Sequence, residues 1–343
     1  MLVAELIAPR SFRLVSRELP DPGPGEIQVR VAAVGICGSD LHAYGEGAIG
    51  DTPCRYPMVL GHEPAGTVIA TGPGVTGWAP GDRAALEPAL YCYHCEFCRA
   101  GRYNICARIR FLSNPGDPGF FRERLNLPSA GLLALPPSVS LDLGSLVEPL
   151  AVALHSVRLA SVRPGETVAV FGAGPIGLLT IACLRIAGAA RIWAFDPLSR
   201  RREMAANLRA DAALGPEHAE EVIAGDTANR GVDCAIDCAA RGNTTNQAIR
   251  AARNGGRVVL TGIHSQPLTP LETSPMRRKE LVVLNVRRSN DEPADALRLL
   301  SEKLAWFAPI VTHTRPLDQI ADAFAIAENY SDGVGKMIVK PSH

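Results

Sequence analysis

ETVAVFGAGPIGLLTIACLRIAG, residues 166–188, runs from a short apolar segment through three glycines into a helical pattern. The glycines are Gly172, Gly174 and Gly177, spaced G-x-G-x-x-G. A strand, a tight turn and a helix in that order restrict the fold more than any other feature of the chain. Glycine allows the turn and a close backbone approach, and the helix N-terminus that follows presents unpaired N–H groups to a pyrophosphate. Alone the pattern is weak; in this context a dinucleotide site is a stronger reading than a turn kept for packing. Asp196 ends the next strand, 19 residues after Gly177. A carboxylate there can accept from both adenosine ribose hydroxyls and repels a 2′-phosphate, which favours NAD over NADP. Arg200 and Arg201 lie close by and work against that choice.

Strands and helices alternate around this block. ETVAVF, RIWAF, VDCAIDCAA and GRVVLTG read as strands, and PIGLLTIACLRIAG, SRRREMAANLRA and TTNQAIRAARN as helices. That alternation predicts a parallel, doubly wound sheet. The first ~140 residues differ, being rich in Gly, Pro and short alternating runs such as EIQVRVAAVGI. PMVLGHEPAGTVIATG reads as two short strands around a turn, and this half as all-β and loop-rich. SLVEPLAVALHSVRLA is expected to be helical, with Pro149 in its first turn. Past Glu280 the pattern blurs into a helix, PADALRLLSEKL, and a last strand, KMIVKP. A chain of 343 residues exceeds what one core usually serves. The expected domains are residues 1–150, 151–285 and 286–343, the last returning to the first.

With 35 basic and 35 acidic side chains, neither nucleic acid nor an anionic membrane is an expected partner. No apolar run suggests a signal peptide or a membrane span, so a cytoplasmic protein is expected. Thiols stay reduced there, and clustered cysteines more often bind metal than form disulfides. YCYHCEFCRAGRYNIC supplies such a cluster, Cys92, Cys95, Cys98 and Cys106. C-x2-C-x2-C-x7-C suits a closed tetrahedral zinc site. An iron–sulfur cluster is the rival, but ferredoxin runs place the fourth cysteine after three residues and before proline. Here the gap is seven and Ala107 follows. His94 inside the loop could compete as a ligand, though pointing outward is the commoner outcome. Cys183, Cys234 and Cys238 lie in apolar runs and read as core.

GICGSDLH, GHEPAG, the four-cysteine loop, EPLAVALH and FGAGPIG stand in an order and spacing that resemble the zinc-dependent medium-chain alcohol dehydrogenases of the sorbitol (polyol) and 2,3-butanediol type. The resemblance spans essentially the whole chain. It implies a GroES-like β-rich catalytic domain into which a Rossmann sheet is inserted, with the active site in the cleft between them. By the same resemblance, Cys37 and His62 match catalytic zinc ligands, and Glu63 and Glu148 are carboxylates that bind the metal or its water. Ser39 and His42 match a proton relay, with Glu148 a further catalytic group. Ile176, Asp196, Arg201, Gly262, Ile263, Val286 and Arg287 match cofactor contacts. Phe111, Asn114, Arg287 and Arg288 match the substrate cleft. His155 is expected to be structural.

The implied reaction passes hydride from a secondary alcohol of a polyol to NAD, with two zinc ions per chain and a homodimer or homotetramer as the assembly. Two positions depart from sorbitol dehydrogenases, where tyrosines usually stand in place of Ala43 and Arg288. A second arginine suits a carboxylate, so a sugar acid, or another vicinal diol as in the butanediol type, remains an alternative substrate; an arginine in solvent or at a subunit contact is the plainer reading. A nicotinamide-binding protein without activity is the alternative of another class, and the intact ligand set speaks against it.

Overall fold

The computed structural model describes residues 1–341, which form two compact units. Of the described residues, 1–148 and 293–341 make the first, and 149–292 the second. Residues 286–292 therefore stay with the second unit.

The first unit is built on a seven-stranded sheet. Its path runs Leu132–Ala134, Arg83–Leu86, Glu63–Thr71, Glu26–Gly35, Lys336–Lys340 and Val311–Pro316, with Arg124–Pro128 also paired to Glu26–Gly35. EIQVRVAAVG buries Ile27, Val29 and Val31 together with Gln28, Ala33 and Val34, so its burial exceeds the alternation of the sequence and only Arg30 is exposed. The last strand lies antiparallel to Glu26–Gly35, Ile338 opposite Gly35 and Val339 opposite Val34. Phe120, Phe121, Leu60, Phe324 and Leu6 fill the core beside it. One sequence expectation is corrected here. PMVLGHEPAGTVIATG forms a single strand, Glu63–Thr71; Met58 makes only an isolated bridge to Leu6. Gly61, at φ +90, turns the chain instead and sets His62 and Glu63 at the strand's start. A Cβ on Gly61 would meet Phe121 and Val34 at 3.0 Å.

The second unit holds a six-stranded sheet in the order Ala212–Leu214, Arg191–Phe195, Thr167–Phe171, Val232–Asp237, Ala252–Leu260, Val282–Asn285. Every neighbouring pair is parallel. Numbered along this unit the order is 3-2-1-4-5-6, the doubly wound arrangement, whose switch point follows the first strand. Thr167–Phe171 buries Val168 to Phe171 completely, as a strand covered on both faces must.

At the other end of this sheet Asp233 ties strands together. Its Oδ2 accepts from Thr167 N and Oγ1, both at 2.9 Å, and its Oδ1 from Arg230 at 2.6 Å and Arg253 at 2.7 Å. Burial works against the charge, but the two guanidiniums and the Thr167 N–H hold the carboxyl well below the usual range. A depressed native value contributes stability that is complete above the unfolded value, near pH ~4, and is lost as pH falls through the native one. Asp233→Asn is expected to lower unfolding free energy at neutral pH by about 1.5–3 kcal/mol. The gap from wild type should close as pH drops below about 4. Urea titrations at stepped pH check this, and a gap unchanged down to the acid limit would refute it.

Candidate metal centres and dinucleotide loop

In the first unit the turn Cys37 and the helix Gly38–Glu46 face the start of strand Glu63–Thr71. The ligand atoms of Cys37, His62 and Glu63 lie within 4.8 Å of one another, with His62 and Glu63 buried. Asp40 organises this corner. It is 1% exposed; its Oδ2 accepts from Cys37 N at 3.0 Å, and its Oδ1 from Gly61 N at 3.1 Å and Ser113 Oγ at 3.2 Å. The same Oδ1 faces His62 Nδ1 at 3.4 Å. That nitrogen is buried and makes no well-formed hydrogen bond. With its proton turned to Asp40, the Nε2 lone pair is free for a metal. Burial disfavours the imidazolium of His62, yet Asp40 and Cys37 hold its pKa well above the ordinary value. The corner thus attracts positive charge. Thiol, imidazole and carboxylate around an attractive field are a donor set that fits a zinc ion.

Glu63 has a second partner. Both its oxygens accept from Lys336 Nζ, at 2.8 and 2.5 Å, and that ammonium also donates to Ile36 O at 3.1 Å. Glu148 is half-buried and falls outside the three-residue ligand group. Burial pushes its carboxyl up to about 8; the Glu63 and Glu87 carboxylates add to this while His62 and Lys336 oppose it. Ser39 Oγ lies 3.4 Å from His62 Nε2. His42, one turn further along the same helix, is buried and faces Glu46 Oε2 at 3.1 Å. The Phe111 ring stands 5.3 Å from that of His62, centre to centre. Asn114 is half-buried in the turn after Phe111, to whose carbonyl its N–H donates.

The four cysteines of the loop also converge. Their sulfurs lie within 4.8 Å of one another, with Cys92 to Cys106 at 3.5 Å, and none is in a disulfide. Backbone N–H groups aim at them, from Cys95 to Cys92 and from Arg108 to Cys106, both at 3.4 Å. Hydrogen bonds from backbone groups pull the Cys95 thiol down to about 6, while burial pushes Cys98 up to about 12. Four sulfurs at one point suit a closed site that holds them as thiolates. His94 is not among them: its ring nitrogens pair with Cys92 O at 2.6 Å and Arg108 at 2.8 Å.

In the second unit the glycine turn follows strand Thr167–Phe171 and opens helix Pro175–Ile186. Gly172 has φ +92, and a Cβ on Gly177 would sit 1.9 Å from Gly172 O. Gly174 caps the helix in front of Pro175, with Ile176 half-buried behind it. Asp196 is buried; its Oδ2 accepts from Ala173 N at 2.8 Å and its Oδ1 from Leu198 N at 2.9 Å. It therefore braces the glycine turn, and Arg201 stands 3.9 Å from its Oδ2 and beside Gly174. At the end of strand Ala252–Leu260, a Cβ on Gly262 would meet Ala240 at 2.7 Å; Ile263 is 46% exposed. Val286 N donates to Leu260 O at 2.9 Å, and Arg287 and Arg288 follow, the first exposed and the second half-buried.

Sequence reasoning missed Asp40 and Lys336. Asp40 was in view inside GICGSDLH, at the third position of a helix, where a carboxylate reaches back to the preceding N–H. Nothing local marks Lys336, which lies 273 residues from Glu63. Asp40→Ala is expected to weaken zinc at the Cys37–His62 corner by about 10–100-fold. Competition with a colorimetric chelator reads this directly, and unchanged affinity would show that Asp40 only braces the helix.

Comparisons with known proteins agree with this geometry. Residues 23–137 match the alcohol dehydrogenase GroES-like domain, and residues 175–302 the zinc-binding dehydrogenase domain. The chain is 37% identical to a sorbitol dehydrogenase of Gallus gallus over 95% of its length and 93% of that protein. It is 33% identical to an L-idonate 5-dehydrogenase of Vitis vinifera, covering 94% of this chain and 90% of that one. The crystal structure of 2R,3R-butanediol dehydrogenase from Bacillus subtilis superposes with a TM-score of 0.88 at 31% identity, over 99% of each chain. With matching domains, a three-donor corner, a four-sulfur loop and a doubly wound dinucleotide sheet, the chain belongs to the zinc-dependent medium-chain alcohol dehydrogenases, in their sorbitol (polyol) dehydrogenase branch.

Proposed function

We propose that the protein oxidises a secondary hydroxyl of a polyol with NAD. The observation that carries this is the Cys37–His62–Glu63 corner, with His62 and Glu63 buried, in a chain that also holds the G-x-G-x-x-G turn. Bound zinc would supply Lewis acidity toward the substrate hydroxyl, and bound NAD the hydride acceptor. Cys37 and His62 would hold the metal, with Asp40 orienting the imidazole. Glu63 shares its charge with Lys336, and Glu148 would accept a hydrogen bond from a second substrate hydroxyl. Ser39 Oγ, beside His62, would receive the hydroxyl proton; His42 would carry it on, toward Glu46 and water. Phe111 and Asn114 are the candidates for substrate contact on the first unit, and Arg287 and Arg288 those on the second.

On the second unit, Gly172, Gly174, Ile176 and Gly177 would cradle the pyrophosphate, with Arg201 beside it and Asp196 fixing the turn. Gly262, Ile263 and Val286 would meet the nicotinamide end. The four-cysteine loop would hold the second, structural zinc. Among the described residues no helix is long and apolar enough to cross a membrane.

The decisive test is reduction of NAD and NADP by a panel of polyols, vicinal diols, sugar acids and simple alcohols. Oxidation of a polyol with NAD preferred is expected, and no nicotinamide reduction by any of them would overturn the reading. We also expect a dimer or tetramer. Strand Val282–Asn285 ends its sheet with Val282 half exposed, an edge that another copy can pair. Light scattering at micromolar concentration checks this, and a monomer would refute it.

A further inference from the structure

Asp237 ends the fourth strand of the parallel sheet, Val232–Asp237, opposite Phe171 of the first. It is 1% exposed. Its Oδ1 accepts from Ala239 N at 3.0 Å and Ala240 N at 2.9 Å. Its Oδ2 accepts from Thr245 Oγ1 at 2.6 Å and Thr244 Oγ1 at 3.2 Å. Its backbone carbonyl takes the N–H groups of Thr261 and Gly262, both at 2.9 Å. One residue thus holds the turn after the fourth strand, the start of helix Thr244–Ala251 and the turn after the fifth strand, Ala252–Leu260.

The network runs one step further. Thr245 is buried and gives its single hydroxyl proton to Asp237, so its oxygen accepts from His264 Nε2 at 3.1 Å. That bond fixes the imidazole just past Gly262. The backbone obeys the same constraint: Ala240 takes φ +47, which a non-glycine residue keeps only where its surroundings over-determine it. Packing leaves the turns no slack. A Cβ on Gly172 would meet Ala239 at 2.8 Å, and one on Gly262 would meet Ala240 at 2.7 Å. The turns after strands one, four and five therefore stand against one another, all at the carboxyl ends of the sheet.

Resting on the dinucleotide part of the function proposed above, we propose that Asp237 is a positioning residue which, through Thr245 and His264, presets the turns after strands four and five for the nicotinamide half of the cofactor. In a sheet of this order a dinucleotide lies across the crevice at the switch point, outside the carboxyl ends of the strands. The glycine turn and Asp196 serve the pyrophosphate and the adenosine half from strands one and two. The other half then belongs over strands four and five, where Asp237 holds both turns. Turns fixed before binding lose little freedom on contact, so their fixation appears as affinity for that half alone.

The experiment compares the zinc-loaded wild type with Thr245→Val, Asp237→Asn and His264→Phe. Calorimetry gives Kd for NADH and for ADP-ribose, which lacks the nicotinamide, and melting temperatures are measured in parallel. For a wild type that prefers the phosphorylated cofactor, NADPH and 2′-phospho-ADP-ribose are the matched pair. Thr245→Val keeps the side chain's shape and removes the hydroxyl; it should weaken NADH about tenfold, roughly 1.4 kcal/mol, and ADP-ribose less than about twofold. Asp237→Asn keeps an acceptor for the two backbone N–H groups and should fall between it and wild type. His264→Phe, at a half-buried position, should show the same selective loss, and it carries the test where Thr245→Val folds poorly. Equal weakening of both ligands, or unchanged affinities beside a lower melting temperature, would mean that the network only braces the fold, and would overturn the proposal. A wild type that binds no nicotinamide dinucleotide would overturn it together with the dinucleotide reading. If the selective loss is seen yet no alcohol reduces NAD, the role of Asp237 stands and polyol oxidation falls.

Discussion

His62→Ala should lower turnover by about 10³-fold or more, because several kcal/mol of Lewis-acid stabilisation depend on that nitrogen. Within the ligand group, His62 is the single imidazole, and Glu63 is already engaged by Lys336 at 2.8 and 2.5 Å. With His62 gone, Cys37 and a carboxylate shared with an ammonium remain, too few to hold the metal in a defined geometry. Zinc content should fall from two ions per chain to one, since the four-cysteine loop contributes none of its ligands to this corner. NAD binding should persist, because the glycine turn and Asp196 belong to the other unit. A buried histidine kept for packing would behave otherwise: stability would drop and turnover per folded molecule would not. Two zincs and normal turnover in the variant would remove His62 from the catalytic site.

Lys336→Met is expected to destabilise the chelated protein by about 3–5 kcal/mol, the usual result of leaving a buried charge without its partner. Lys336 and Glu63 have side-chain exposures of 2% and 0%, so water cannot replace the lost ammonium. Glu63 pulls the Lys336 pKa up against the burial that would lower it. Adding Glu63→Leu should restore most of the stability, since an apolar pair of similar volume removes both charges at once. Zinc should also restore part of it in the single variant, by giving Glu63 another cation. Urea unfolding of the single and double variants, with and without metal, measures all three. A loss below about 1 kcal/mol for Lys336→Met would mean that the pair is solvated.

The dinucleotide unit was readable because its signals are short-range. A glycine turn, an apolar strand before it and a periodic helix after it lie within 23 residues, 166–188. Ala212–Leu214 and helix Ala219–Asp226 are not legible in the sequence, being a three-residue strand and a helix of only eight residues. The two cysteine and histidine sites were legible as residue types, and the four-sulfur loop also as spacing. Asp196 is legible as the carboxylate that ends the second strand; that its oxygens also accept from Ala173 N and Leu198 N depends on the fold.

The sequence alone determined which donors the protein owns and where strand gives way to glycine turn, since both are carried by neighbours along the chain. Tertiary structure decided how those donors are paired. It set Lys336 on Glu63 across 273 residues, Asp40 behind His62, and His155 on Glu292 across 137. In each case a charge is taken out of water, and its partner is whichever opposite group the packed strands and helices bring within reach. That choice depends on sheet order and burial, which no local pattern encodes.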